Sequence, residues 1–163
     1  MATYEKELRQ KQIYSDSHKT QIVVFCVQNE EYGIHINKVL EISELVSIVR
    51  MPRAPHFVEG VINLRNLIVP IIDLHKRFNL PPRENTPATS ITIIDGNEGN
   101  RAGFIVDEVK EVISLSVDQI DEKPMLLNQS IGSDFIAGVG RLDQRLIILL
   151  DIDNILKVSS DSQ

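Results

Sequence analysis

The chain has no tryptophan, a single cysteine, three tyrosines and five phenylalanines in 163 residues. One cysteine leaves no disulfide framework and no multi-cysteine metal site. Cys26 lies between Phe25 and Val27 with no cationic neighbour in sequence to activate it, so it reads as a buried structural thiol in a strand interior. The shortage of aromatic side chains leaves little with which to stack bases. Cations are outnumbered as well: 17 lysines and arginines face 23 acidic residues, a net charge of −6, the wrong balance for a protein that neutralises phosphates or anionic membrane surfaces. Long apolar runs are missing. The longest, such as Ile22–Val27 and Leu67–Ile72, fall far short of the roughly 20 residues a membrane helix requires. The N-terminal segment mixes acidic and basic residues without the apolar core of a secretory signal, so a cytosolic location is expected, with no membrane insertion.

Catalytic signatures are equally scarce. His18, His35, His56 and His75 are scattered, with no pair at the spacing a metal site favours. His35 alternates with Ile34 and Ile36 and is expected to face solvent. There is no G-x-S-x-G elbow, and Gly96-Asn-Glu-Gly99 precedes a strand rather than the helix a phosphate loop needs. No catalytic residue, metal or cofactor is expected.

What the sequence does contain is a duplication. Tyr32-Gly-Ile-His-Ile-Asn-Lys-Val-Leu-Glu-Ile42 aligns with Ala102-Gly-Phe-Ile-Val-Asp-Glu-Val-Lys-Glu-Val112 at an offset of 70 residues. Phe57 to Asp73 aligns with Phe135 to Asp151 at an offset of 78, repeating Phe, Gly, Val, Leu and Asp in step. The difference implies an insertion, placed in the polar stretch Asp121–Asp134. Two matches in the same order point to two related halves.

Each half reads as short strands joined by turns. Thr20–Val27, Tyr32–Ile36, Val39–Val46, Val61–Leu64, Leu67–Ile72, Ser90–Ile94 and Arg101–Val106 are rich in Val and Ile. Arg65-Asn66 is a two-residue hairpin, with Asn66 suited to positive φ, and Gly96–Asn100 is a second hairpin loop. Brief helices are expected at Pro55–Glu59, stopped by Gly60, and at Ser133–Gly138. Asp73 and Asp151 are placed as N-caps of Leu74–Phe78 and Ile152–Leu156. The proline-rich stretch after Leu80 marks the boundary. The expected organisation is a mobile tail over 1–19, one subdomain over about 20–80, a linker over 81–88, a second subdomain over about 89–156 and a tail over 157–163.

Glu31 to Ile42 and Gly60 to Leu74, with Gly103-Phe-Ile-Val-Asp107, Leu115 to Ile120 and Arg145 to Ile152, closely resemble the CheW family of bacterial chemotaxis coupling proteins. The resemblance covers roughly residues 20–156. It implies a mainly β fold of two tandem five-stranded SH3-like barrels with a few short helices, and no enzymatic activity. It also implies coupling between the cytoplasmic tips of methyl-accepting chemoreceptors and the C-terminal regulatory domain of the histidine kinase CheA, in receptor arrays at the membrane. Carried over by position, the receptor-facing set falls on Val39, Glu41, Arg65, Val109 and Val112, with Val39, Val109 and Val112 equally open to a core role. Gly33, Gly60, Asn66, Pro70, Asp73, Gly103, Gly138 and Asp151 read as structural. Asn66 stands where the family usually has glycine. Two other readings are a CheV-type or other chemosensory CheW-like domain, and a barrel that binds a small molecule or nucleic acid, which acidity and few aromatics disfavour. Neither the receptors served nor the output is encoded legibly.

Overall fold

The computed structural model describes residues 19–122 and 133–157. The expected tails, apart from Lys19 and Lys157, and positions 123–132 of the expected insertion lie outside the described residues. Eleven strands run in order: β1 Lys19–Val27, β2 Glu30–His35, β3 Val39–Glu44, β4 Val58–Leu64, β5 Leu67–Asp73, β6 Ser90–Asp95, β7 Arg101–Val106, β8 Glu108–Ser116, β9 Ile120–Asp121, β10 Ile136–Leu142 and β11 Arg145–Leu150. Two short helices follow β5 and β11: α1, Leu74–Arg77, and α2, Ile152–Leu156. The expectation of a mainly β fold with few helices holds.

The strands form two sheets, ordered β8-β1-β2-β11-β10-β9 and β3-β6-β7-β5-β4. The duplication is visible in both. Placing β6 on β1, β7 on β2, β3 on β8, β5 on β11 and β4 on β10 reproduces one order from the other, including the parallel pairs β5–β7 and β2–β11. Corresponding bulges interrupt β4 between Val58 and Gly60 and β10 between Ile136 and Gly138. Another pair leaves Leu40 in β3 and Lys110 in β8 without partners in the ladder.

The halves are not, however, laid out in tandem. The second sheet is one continuous run, β3 to β7, whereas the first combines β1 and β2 with β8 to β11. Each sheet therefore takes three main strands from one half of the sequence and a hairpin from the other. The chain crosses between sheets at Ile36–Lys38, a 3-10 turn, and at Asp107. Residues 81–88 join β5 to β6 within a single sheet and do not separate the two units. Composition marks a proline-rich stretch but carries no record of which strands pair across it.

Local chemistry explains most elements. In the β4–β5 turn Arg65 and Asn66 have φ of 52° and 68°, and the Asn66 amide donates to Asn63 Oδ1 at 2.9 Å. Pro70 lies one residue before β5 begins to pair with β7, at a point where it faces only β4. Asp73 accepts from the His75 amide and Asp151 from that of Asn154, as N-caps. Pro55–Glu59 is not a helix. The Val58 amide closes a turn onto the Pro55 carbonyl at 2.9 Å, and Phe57 then accepts from the Asp73 amide at 2.9 Å, drawing the chain into β4. Ser133–Phe135 forms a 3-10 turn with the same tie, Asp151 to Phe135 at 2.8 Å, before β10 begins. Gly60 and Gly138 thus sit at strand bulges, not at helix ends. Gly60, at φ of 152°, turns its open face to the Val49 carbonyl, leaving no room for a β-carbon. Gly33 and Gly103 let Ile22 and Ile91 close over the backbone inside their respective sheets.

Apolar packing follows this division. Ile22, Val24, Ile113, Leu115, Ile147 and Leu149 pack together on the first sheet. Ile62, Val69, Ile71, Ile91, Ile93 and Ile105 do so on the second. The largest cluster lies between the two units and holds the buried Phe25, Tyr32, Phe57, Phe78 and Phe104. Arg77 spans this seam with its guanidinium 4.1 Å from the Phe57 ring centre and 4.6 Å from that of Phe135, two residues related by the duplication. Its Nε donates to Ile155 O at 2.9 Å and its Nη2 to Lys157 O at 2.8 Å.

Candidate functional site

Glu41 and Arg65 meet. Glu41 belongs to β3 and Arg65 to the turn after β4, strands at opposite edges of one sheet, so their 3.3 Å contact requires the sheet to curl until its edges approach. The Arg65 side chain is 78% exposed and that of Glu41 18%. The next residues on β5, Leu67 and Ile68, are exposed apolar side chains, as is Leu40 beside Glu41. A charged pair amid exposed apolar groups has the chemistry of a docking surface.

The three valines belong to a separate cluster. Val112 is buried in a cluster with Val23, Ile36 and Ile42, and the half-buried Val39 and Val109 pack against it. This cluster joins β1 and β8 of one sheet to β3 of the other. Val112 contributes primarily to that core, while Val39 and Val109 retain a partly exposed surface. The structure therefore brings together Glu41 with Arg65, and Val39 with Val109 and Val112.

Sequence reasoning missed the counterpart of the charged pair. Glu111, the duplicate of Glu41, lies 2.8 Å from Arg145 Nη2, which also holds Glu31 Oε1 at 2.5 Å. Arg145 Nε donates to Glu31 Oε2 at 3.2 Å, completing a two-pronged contact. Arg145 holds the Glu31 carboxyl below its usual range, and the two carboxylates push the Arg145 guanidinium upward. The recurrence of Glu41 as Glu111 was the available signal. Its arginine was not legible because it lies two residues away from the position matching Arg65.

Arg145 also borders a cleft of about 700 Å³ lined by Cys26, Asp107, Glu108 and Lys110 among others. Cys26 is thus half-buried on a cleft wall rather than enclosed, and burial pushes its thiol upward in pKa. His35 is exposed, as its alternation implied. Among the described residues, no His, Cys, Asp and Glu cluster suits a metal ion, and no helix is long and apolar enough to cross a membrane.

The model of the CheW-like domain matches residues 21–160. The chain belongs to the CheW-like domain family. Within it, the chain is 37% identical over 137 residues to the chemotaxis protein CheW of Klebsiella aerogenes, covering 83% of this chain and 81% of that one. It is 33% identical over 159 residues to CheW of Thermotoga maritima, covering 96% and 95%. Its fold is similar to the crystal structure of the scaffolding protein TtCheW from Thermoanaerobacter tengcongensis. There the TM-score is 0.81 at 36% identity, over 90% of this chain and 93% of that one.

Proposed function

We propose that this CheW-like protein is a non-enzymatic scaffold of a bacterial chemosensory array in the cytoplasm, coupling methyl-accepting receptors to the histidine kinase CheA. The observation that carries the receptor-facing part is the contact between Glu41 and the exposed Arg65, flanked by exposed Leu40, Leu67 and Ile68. Arg65 has the reach and exposure to meet a carboxylate on a receptor helix, and Glu41 holds it in place. The partly exposed Val39 and Val109 extend the surface toward the second unit. The CheA regulatory domain is the second partner, and no observation favours the CheV-type reading over this one.

Reconstituted arrays test the assignment. Arg65→Glu is expected to leave thermal unfolding nearly unchanged, since an exposed ion pair is worth about 0–1 kcal/mol. It is expected to abolish receptor-dependent kinase activation, because truncating a charge pair at a desolvated interface costs about 2–5 kcal/mol. Adding Glu41→Arg should restore part of the activation. Full activation with Arg65→Glu alone, or unfolding of that variant, would refute the role.

A further inference from the structure

In a chain of net charge −6, one loop holds arginines that no carboxylate answers. Among the described residues, Arg65, Arg83, Arg101, Arg141 and Arg145 are paired with acidic side chains, and Arg77 is held by backbone carbonyls. Arg50 and Arg53 have no such partner among the described residues. Both are exposed, in the segment that joins β3 to β4. That segment is tied at each end. Val49 exchanges two hydrogen bonds with Val61 of β4, at 2.9 and 2.8 Å, and the Val58 amide closes onto the Pro55 carbonyl at 2.9 Å.

Between these ties the chain walls a cavity of about 490 Å³. Its volume falls in the range of small-molecule sites, about 300–1,000 Å³. Arg50, Arg53 and His56 line it together with Lys76 of α1. Lys76 is answered by Glu59 at 2.6 Å, so the two guanidinium charges remain uncompensated on the wall. Met51, Pro52, Pro55 and Val58 supply an apolar side. The backbone does not ask for arginine here. Arg53 has φ of 64° in the turn at Pro52-Arg53, a left-handed position that glycine or asparagine fills more readily. The His56 ring rests edge-on against the buried Phe57, with 5.7 Å between ring centres.

A guanidinium presents a planar fork of donors suited to phosphate or carboxylate oxygens. A phosphate ester carries about −1.5 to −2 charges at pH 7 and three acceptor oxygens, enough to engage both arginines and an imidazole N–H together. A lone carboxylate, with a single charge, would leave one guanidinium unanswered. We propose that this pocket binds a small phosphate ester, its dianion held by Arg50 and Arg53 and its apolar body resting on Met51, Pro52 and Pro55. The site is separate from the Glu41–Arg65 surface. Val58 opens β4, whereas Arg65 follows the last residue of that strand, Leu64.

Phenyl phosphate, titrated into the nitrogen-15-labelled full chain and followed by NMR, tests this. The amide signals of Arg50, Arg53 and His56 should move saturably, with an affinity about tenfold above that for inorganic phosphate or benzoate. Added salt should weaken the binding. Arg50→Ala should lower the affinity about tenfold, while Arg101→Ala, which removes an exposed arginine elsewhere, should leave it unchanged. Arg53→Gly separates binding from turn geometry. It should lose affinity as Arg50→Ala does and unfold at no lower temperature than the parent, because glycine suits the left-handed turn. Absence of a saturable shift, shifts scattered over exposed cations generally, or unchanged affinity in Arg53→Gly overturns the proposal. Equal affinity for inorganic phosphate or benzoate, or tighter binding of an aspartate-rich peptide, overturns it as well.

Discussion

Arg77 illustrates how much of the packing rests on single side chains at the seam. Its guanidinium lies between Phe57 and Phe135, and it also ties the end of α2 through two carbonyls. Cation–π contacts contribute roughly 0.5–2 kcal/mol and hydrogen bonds from a charged donor about 1.5–3 kcal/mol. Arg77→Ala is expected to destabilise the fold by about 2–4 kcal/mol in urea unfolding. Arg77→Lys should recover less than half of that, because an ammonium lacks the flat face and the forked donors. Sequence inspection cannot isolate such a residue, since Arg77 sits in an ordinary helical stretch and its aromatic partners are far away along the chain. Asp73, Asp151 and Asn66 were legible because their roles are local. Each acts within three residues of itself.

At the level of elements, local chemistry placed the hairpins and caps, and pairing decided the remainder. Pro55–Glu59 has the composition of a helix with a glycine stop, yet the ties from Asp73 to Phe57 and from Val61 to Val49 commit it to a turn and strand. Glu41 and Arg65 were recognisable as a pair through family likeness, whereas Arg145 binds carboxylates on β2 and β8 that no local pattern connects to it. That clamp should be visible in acid. Glu31 is held below its ordinary range by Arg145, so the stability it contributes is present above the unfolded value and is lost as pH falls through the lower, folded one. Arg145→Leu should therefore be less stable than the parent at neutral pH, and the gap should shrink below about pH 4. Parallel urea titrations at neutral and acidic pH would measure it, and a gap independent of pH would assign the loss to packing instead.

For the whole molecule, the exchange of hairpins matters more than the count of strands. A tandem arrangement would allow the chain to be cut in the linker into two folded pieces. Here a cut after Arg83 leaves the first fragment with β1 and β2 lacking their partners β8 and β11, and the second with β6 and β7 lacking β3 and β5. Neither fragment is expected to fold alone, since each exposes unpaired edges and half of its apolar core. Mixed in equal amounts, they should regain the far-ultraviolet spectrum and thermal transition of the intact chain. Independent folding of either piece would contradict the pairing described. The same exchange bears on ancestry. A chain consisting of one repeat could complete its sheet only by borrowing the leading hairpin of a second copy, so the ancestral gene product would have been an entwined homodimer. Fusion of two such copies through residues 81–88 would fix the partner in place and let each repeat diverge, as Arg65 does in standing exposed where the other repeat has Arg145 tethered by two carboxylates.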